Sequence, residues 1–340
     1  MEKSALEKRT LGRTGLKVTA ISFGGLPMQR CTLDEAGPVL NAALDAGINF
    51  VDTARAYTDS EEKIGRHIAA RRREYYLASK SMARDQAGMA ADIDKSLALM
   101  KTDHIDLYQI HNIKKREDLD KVLAPGGALE ALQDAKKAGK IGHIGITGHN
   151  MSFLVEALKT GHFSTVQAPF NCVESQAEEE LFPLARKENI GIIVMKPLGG
   201  GQIDNPDLAL RYILGRAITT AIPGMDEVRH VEENLAALRN YRPLTAAEQQ
   251  ELDRIVKEIG AKFCRRCGYC LPCTAGIDIP TTFIFHLQYT RYGMKAAIPG
   301  RYAAMPAKAS DCTGCGLCEQ RCPYDIPIRE RLKQIAADLG

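Results

Sequence analysis

No apolar run in this 340-residue sequence approaches the roughly 20 residues that a membrane-spanning helix needs, so no membrane partner is expected. The first ten residues, MEKSALEKRT, carry charges with no apolar core behind them. They do not read as a signal peptide, and the expected location is the cytoplasm. An excess of one charge is also missing. The 45 Lys and Arg against 42 Asp and Glu leave +3, too little to imply nucleic acid. There is no low-complexity tract. Cysteine is nearly absent from the first 260 residues, which hold Cys31 and Cys172 alone, while the other eight fall between Cys264 and Cys322. A secreted disulfide scaffold would be small and would lack so large a cysteine-poor partner. Clustered cysteines in a cytosolic chain read instead as metal ligands.

What is present is regular alternation. Eight short apolar runs read as strands: VTAISFGG, INFVDT, YYLASK, IDLYQIHN, IGHIGITGHN, TVQAPFN, IGIIVMKPLGGG and TTAIPG. Most are continuously apolar, as parallel strands buried on both faces must be. Between them lie helical patterns such as LDEAGPVLNAALDAG, QAGMAADIDKSLALM, ALEALQDAKKAGK and QAEEELFPLARKENI, several ending at or just before Gly or Asn. Eight βα units imply an α/β fold, a closed (β/α)8 TIM barrel rather than an open doubly wound sheet. TLGRTGLKVTA, ahead of the first strand, reads as a hairpin closing the barrel's bottom. The barrel is expected over residues 1–245. A linker helix and a small helical and loop domain holding the cysteines follow over 246–340.

Barrel chemistry sits at the C-terminal ends of strands. Those ends carry Asp52, Lys80 and His111, with Tyr57 five residues beyond Asp52 on the loop leaving the same strand. The four types form a working set for carbonyl reduction. Hydride arriving at a carbonyl carbon leaves charge on oxygen, so a proton donor must meet it. A phenol, with a pKa of about 10, is a reluctant donor near neutral pH, and a nearby ammonium makes it a better one. A carboxylate holds the ammonium, and an imidazole orients the carbonyl. Singly, each residue also has an ordinary structural role: helix cap, solvated lysine, structural His or Tyr. Their joint appearance at successive strand ends carries the reading.

Here the sequence resembles the aldo/keto reductase family. FVDTARAYTDSEEKIG, LASK and YQIHN resemble its Asp–Tyr, lysine and histidine segments, and the resemblance covers about residues 10–240. It implies that Asp52, Tyr57, Lys80 and His111 are the catalytic tetrad. Thr58 stands where many relatives have Gly. The resemblance also implies NAD(P)H laid across the barrel mouth, and no Gly-rich fingerprint in a Rossmann context is present. IGITGHN and VQAPFN imply carboxamide contacts from Thr147 and Gln167, although Gly148 replaces a common Asn. MKPLGGG implies that Met195, Lys196, Pro197, Leu198 and Gly200 cover the pyrophosphate, with Met195 and Lys196 where many relatives place an aromatic ring. IPGMDEVRHVEEN implies adenosine-phosphate contacts from Gly224, His230, Glu233 and Asn234. Asp226 and Glu227 in that segment would repel a 2′-phosphate, which leans the reading toward NADH, with Arg229 adjacent as a compensating charge.

The second cysteine run, Cys312-x2-Cys315-x2-Cys318-x3-Cys322-Pro323, is that of bacterial ferredoxins holding [4Fe–4S] clusters. The first, Cys264-x2-Cys267-x2-Cys270-x2-Cys273, is one residue shorter in its last gap and has Thr274 in place of the Pro. The fourth cysteine of each run normally ligates the other cluster. One cluster is therefore assigned Cys264, Cys267, Cys270 and Cys322, and the other Cys312, Cys315, Cys318 and Cys273. Two zinc sites with four thiolates each are the competing reading. GIDIP and YDIPIRE resemble loops of ferredoxin-tailed members of the reductase family.

The function expected is NAD(P)H-linked reduction of a small aldehyde or ketone, or the reverse alcohol oxidation. Two alternatives stand beside it. One is an electron-transfer protein coupling the barrel to a ferredoxin or flavodoxin-type carrier, for which Arg265, Arg266, Arg291 and Arg301 offer a basic docking face. The other is a non-catalytic regulatory subunit.

Overall fold

A computed structural model describes residues 6–260, 262–266 and 268–340. The chain forms two compact units, Met1–Gln249 and Gln250–Gly340. In the first, a hairpin of β1 (Lys8–Thr10) and β2 (Lys17–Thr19) precedes the barrel. The barrel strands are β3 (Phe23–Gly24), β4 (Phe50–Asp52), β5 (Tyr76–Ser81), β6 (Ile105–Ile113), β7 (Ile141–Gly148), β8 (Thr165–Pro169), β9 (Gly191–Met195) and β10 (Thr220–Ala221). They are all parallel and lie side by side in chain order. The sheet closes where its first and last strands meet. Ser22 N donates to Ala221 O at 2.8 Å and Gly24 N to Pro223 O at 3.0 Å, and parallel bridges pair Ile21 with Ala221 and Gly24 with Gly224.

The helices between strands are α1 (Leu33–Asp45), α2 (Ser60–His67), α3 (Gln86–Met100), α4 (Arg116–Leu123), α5 (Ala128–Lys137), α6 (Met151–Lys159), α7 (Leu181–Lys187) and α8 (Pro206–Leu214), and α9 (Val228–Arg239) follows the last strand. Each buries its apolar stripe on the sheet, as Val39, Leu40 and Ala43 of α1 do. Side chains cap several starts. Thr32 forms a capping box with Glu35 ahead of α1, and Asp85 accepts from Gly88 N ahead of α3.

Two expectations need correction in detail. VTAISFGG divides: Val18 and Thr19 pair in the hairpin, and Phe23 and Gly24 pair in the barrel. QAEEELFPLARKENI is a 3-10 turn, Gln176–Glu178, followed by α7. Pro183 has no N–H to give to an upstream carbonyl and costs least in the first turn of a helix, where it stands, since α7 starts at Leu181.

The hairpin seals the barrel's lower end. Leu11 and Val18 are fully buried and pack with Phe50, Ala78, Leu107, Ile193 and Ile222, which line the interior. The approach is close enough to require glycine. A Cβ on Gly191 would lie 2.6 Å from Leu11 Cδ1, and one on Gly12 would lie 2.2 Å from Gly191 N.

Helix α10 (Ala246–Gly260) begins in the first unit and runs into the second, which goes on to thiol-bearing loops and α11 (Ile279–Thr290), α12 (Ile298–Ala303), α13 (Leu317–Gln320) and α14 (Ile328–Leu339). The second unit's own core is Ile277, Ile279, Phe283, Tyr302, Ile326, Ile328, Leu332 and Ile335. Among the described residues no helix is long and apolar enough to cross a membrane.

Candidate active site

The upper ends of β4, β5 and β6 bring the four strand-end residues together. Asp52 closes β4 and Lys80 lies near the end of β5, 2% and 1% exposed. Lys80 Nζ donates to Asp52 Oδ1 at 2.5 Å and to Thr53 O at 2.8 Å. The same nitrogen lies 4.9 Å from the centre of the Tyr57 ring. The His111 ring meets Tyr57 edge to face, with centroids 5.8 Å apart and planes at 85°.

Electrostatics follow from burial. Desolvation pushes the Lys80 ammonium down, and the Asp52 carboxylate beside it pushes back up. Desolvation likewise raises the Asp52 carboxyl, opposed by Lys80 and by hydrogen bonds from Gln167 and Gln109. His111 is held well below the ordinary histidine range, first by desolvation and then by the Lys80 and Arg84 cations. It is therefore neutral near pH 7, and its Nδ1 is buried with no partner among the described residues.

Sequence reading missed the support beneath this group. Gln109, fully buried on β6, donates through Nε2 to Gln167 Oε1 at 3.0 Å and to Asp52 Oδ2 at 3.3 Å. Gln109 and His111 are two residues apart on one strand and share a face, which is the one signal available beforehand. Arg84 was also missed. Its Nη2 donates to His111 O at 2.7 Å and to Asn112 O at 3.0 Å, pinning the end of β6. Glu61 accepts from Ser79 at 2.6 Å and Ser96 at 2.7 Å and pairs with Arg55, fixing the loop that carries Tyr57.

Thr58, next to Tyr57, has φ of +44°, a left-handed conformation that suits glycine and strains a β-branched residue. Left-handed geometry costs an L-residue about 1–2 kcal/mol, and glycine's extra freedom returns about half of that to the unfolded chain. Thr58→Gly is therefore expected to stabilise the protein by about 1 kcal/mol. The urea midpoint measures it, and a lower midpoint counts against the argument.

Of the residues matched to a dinucleotide, Thr147, Gln167 and Met195 stand at the upper ends of their strands, and His230, Glu233 and Asn234 stand on α9. Thr147 on β7 pairs in register with Gln167 on β8, and its Oγ1 accepts from Asn112 N at 2.9 Å. Gln167 is committed to the amide ladder with Gln109 and Asp52. Met195 closes β9. Lys196 follows at φ +55°, then Pro197 and Leu198, then Gly199, Gly200 and Gly201 at φ +58°, +68° and +81°. Gly224 is packed so tightly that a Cβ would lie 2.5 Å from Pro27 Cγ. His230 Nδ1 is 2.9 Å from Asp226 Oδ1, and Arg30 holds Asp226 Oδ2 at 2.8 Å. Glu233 pairs with Arg229 at 3.1 Å, and Asn234 is buried in α9.

In the second unit the thiols surround two cavities. Cys264, Cys270 and Cys322 line one, with Ile279, Phe283 and Tyr324. Cys273, Cys312, Cys315 and Cys318 line the other, with Thr274 and Leu317; Cys270 borders this cavity as well. Cys267 lies outside the described residues. Among the described residues, no three His, Cys, Asp or Glu side chains converge as a single-ion site. Arg265 stacks on the Tyr324 ring at 3.8 Å and Arg266 faces the Phe263 ring at 5.6 Å.

Comparison with known proteins agrees with both units. The model of the aldo/keto reductase family matches residues 20–206, and that of a 4Fe-4S dicluster domain matches residues 263–327. The chain is 30% identical over 256 residues to the 6-dehydroglucose reductase of Novosphingobium aromaticivorans, covering 67% of this chain and 80% of that one. It is 28% identical over 301 residues to the L-galactose dehydrogenase of Arabidopsis thaliana, covering 74% and 93%. Among solved structures, a putative aldo-keto reductase from Pseudomonas aeruginosa superposes with a TM-score of 0.61 at 27% identity, covering 69% of this chain and 96% of that one. The fold is also that of an aldo-keto reductase from Klebsiella pneumoniae solved in complex with NADPH, with a TM-score of 0.64 at 23% identity, covering 74% and 95%.

Proposed function

The chain belongs to the aldo/keto reductase family of oxidoreductases, and from that premise we propose that it reduces a small aldehyde or ketone with NADH or NADPH, or oxidises the alcohol in reverse. The observation that carries the reading is the position of Lys80 Nζ, 2.5 Å from the Asp52 carboxylate and 4.9 Å from the Tyr57 ring centre. The nicotinamide, when bound, supplies the hydride. Tyr57 gives its hydroxyl proton to the carbonyl oxygen. Lys80 stabilises the negative charge that develops on the phenol oxygen, and Asp52 and Thr53 O keep the ammonium in place. Neutral His111 is an uncharged hydrogen-bond donor for the carbonyl. Its Nδ1 has no partner among the described residues, so that nitrogen's hydrogen-bonding capacity is unspent. Thr147, Gln167, Met195, Lys196, Pro197, Leu198, Gly200, Gly224, His230, Glu233 and Asn234 are proposed to hold the dinucleotide. A panel of aldehydes and ketones assayed anaerobically with both cofactors tests the reading. Turnover with none of them, from protein with a full metal complement, would favour the regulatory-subunit alternative.

NADH is expected to serve at least as well as NADPH. Arg229 of this segment faces Glu227 and Glu233, and Arg30, from the loop after β3, faces Asp226, so a 2′-phosphate finds a carboxylate beside each of these two arginines. The ratio of kcat/KM for the two cofactors measures this. A preference for NADPH above tenfold, about 1.4 kcal/mol, rules it out.

The eight thiols are proposed to hold two [4Fe–4S] clusters that serve an external one-electron carrier, such as a ferredoxin or flavodoxin. The sets of thiols around each cavity, together with the C-x2-C-x2-C spacing, support cross-ligation. Hydride carries two electrons together, so no direct exchange with the nicotinamide is expected. In anaerobic titrations, NADH should leave the clusters oxidised in flavin-free protein, and a reduced low-potential carrier should bleach them. Bleaching by NADH would contradict the first part; inertness to every carrier would leave the clusters a structural staple. Thiolate ligands suit a reducing compartment, and a cytoplasmic location belongs to the same proposal.

A further inference from the structure

We propose that Thr274 raises the redox potential of the cluster assigned to Cys273, Cys312, Cys315 and Cys318. The inference rests on the reading of the eight thiols as ligands of two cubanes. The Thr274 hydroxyl is 3.5 Å from Cys315 Sγ, within reach of a hydrogen bond to sulfur. It lines the same cavity as those four thiols. Cys315 is exposed, whereas Cys318 of the same run is buried. The hydroxyl therefore stands at the edge of the cavity that meets solvent.

The chemistry is electrostatic. A cubane that takes up one electron becomes more negative, and part of that charge resides on the ligating sulfurs. An O–H dipole aimed at a thiolate stabilises the reduced state more than the oxidised one, which raises the potential. Backbone N–H groups at a thiol act in the same sense, and the Leu317 N–H supplies one to Cys315. A side-chain hydroxyl differs in being removable without altering the chain.

The two cysteine runs differ at this position. Cys322 is followed by Pro323, which has neither a hydroxyl nor an N–H, whereas Cys273 is followed by Thr274. Each run therefore ends on a fourth cysteine for the other run's cluster, but one of the two brings a donor and the other brings none. The two loops are thereby unequal, and the hydroxyl raises the potential of the cluster on the side where Cys315 reaches solvent.

The test is an anaerobic potentiometric titration of the whole protein with dithionite and mediators, following visible absorbance and the paramagnetic signal of each one-electron reduction. Iron and acid-labile sulfide are determined on every sample. The wild type is expected to show two steps at separate potentials. Thr274→Val should move one of the two steps to lower potential and leave the other in place. Thr274→Ser keeps the hydroxyl and should restore the wild-type separation. The inference is overturned if Thr274→Val shifts neither step or shifts both equally, or if Thr274→Ser shifts as far as Thr274→Val. It is also overturned if fully loaded clusters cannot be reduced. Iron and sulfide well short of two cubanes would instead refute the assignment of the eight thiols, and the inference with it.

Discussion

Tyr57→Phe is expected to abolish most carbonyl reduction, lowering kcat by about 10²–10⁴-fold, the range for loss of a positioned general acid. The substitution removes only the hydroxyl. The ring keeps its edge contact with His111 and its place against Lys80, so the rim keeps its shape. Dinucleotide affinity should therefore be unchanged, and the loss should appear in kcat rather than in cofactor binding. Single-turnover kinetics beside a fluorescence titration with the reduced dinucleotide separates the two. A variant that turns over a good substrate at near wild-type rate would remove Tyr57 from the chemistry.

Lys80→Met should damage both stability and activity. The ammonium is buried against Asp52, and removing one partner of a buried ion pair typically costs about 3–5 kcal/mol because the other is left uncompensated. The pH dependence has a definite sign. Burial already raises the Asp52 carboxyl, and the variant loses the cation that opposed this. Above the unfolded carboxyl pKa of about 4, the folded variant then binds more protons at this site than the unfolded chain does. Its stability must fall as pH rises through that window. Denaturant midpoints at pH 5 and pH 8 should show the larger deficit at pH 8. Lys80→Met combined with Asp52→Asn should recover much of the stability and none of the activity. A deficit independent of pH would mean that Asp52 is not the group left exposed to the loss.

Much of this was legible in the chain because the signals are local. Parallel strands buried on both faces announce themselves as apolar runs, and the reactive side chains stand where those runs stop. Cysteine spacing carries the second unit in the same way. What escaped is what depends on distant partners or on weak periodicity. Gln109 looks like one polar residue inside an apolar strand, yet its partners Asp52 and Gln167 lie 57 and 58 residues away. Arg84 reads as a loop cation until the end of β6 is brought to it. The helix Arg116–Leu123 was overlooked because just Leu119 and Val122 of its eight residues are buried, too narrow a stripe to show in a charged segment.

The seam that closes the barrel has a consequence for biosynthesis. Thr220 Oγ1 donates to Thr19 O across a separation of 201 residues, and the neighbouring backbone bonds are equally remote. At about 5–20 residues per second, the ribosome needs roughly 10–40 s between making the two sides of that seam. Throughout that interval the first strand's outer edge has no partner of its own, and an unpaired edge is a template for pairing with another chain. The nascent barrel is thus expected to engage chaperones until Ala221 has left the ribosome, and to close in a single late step.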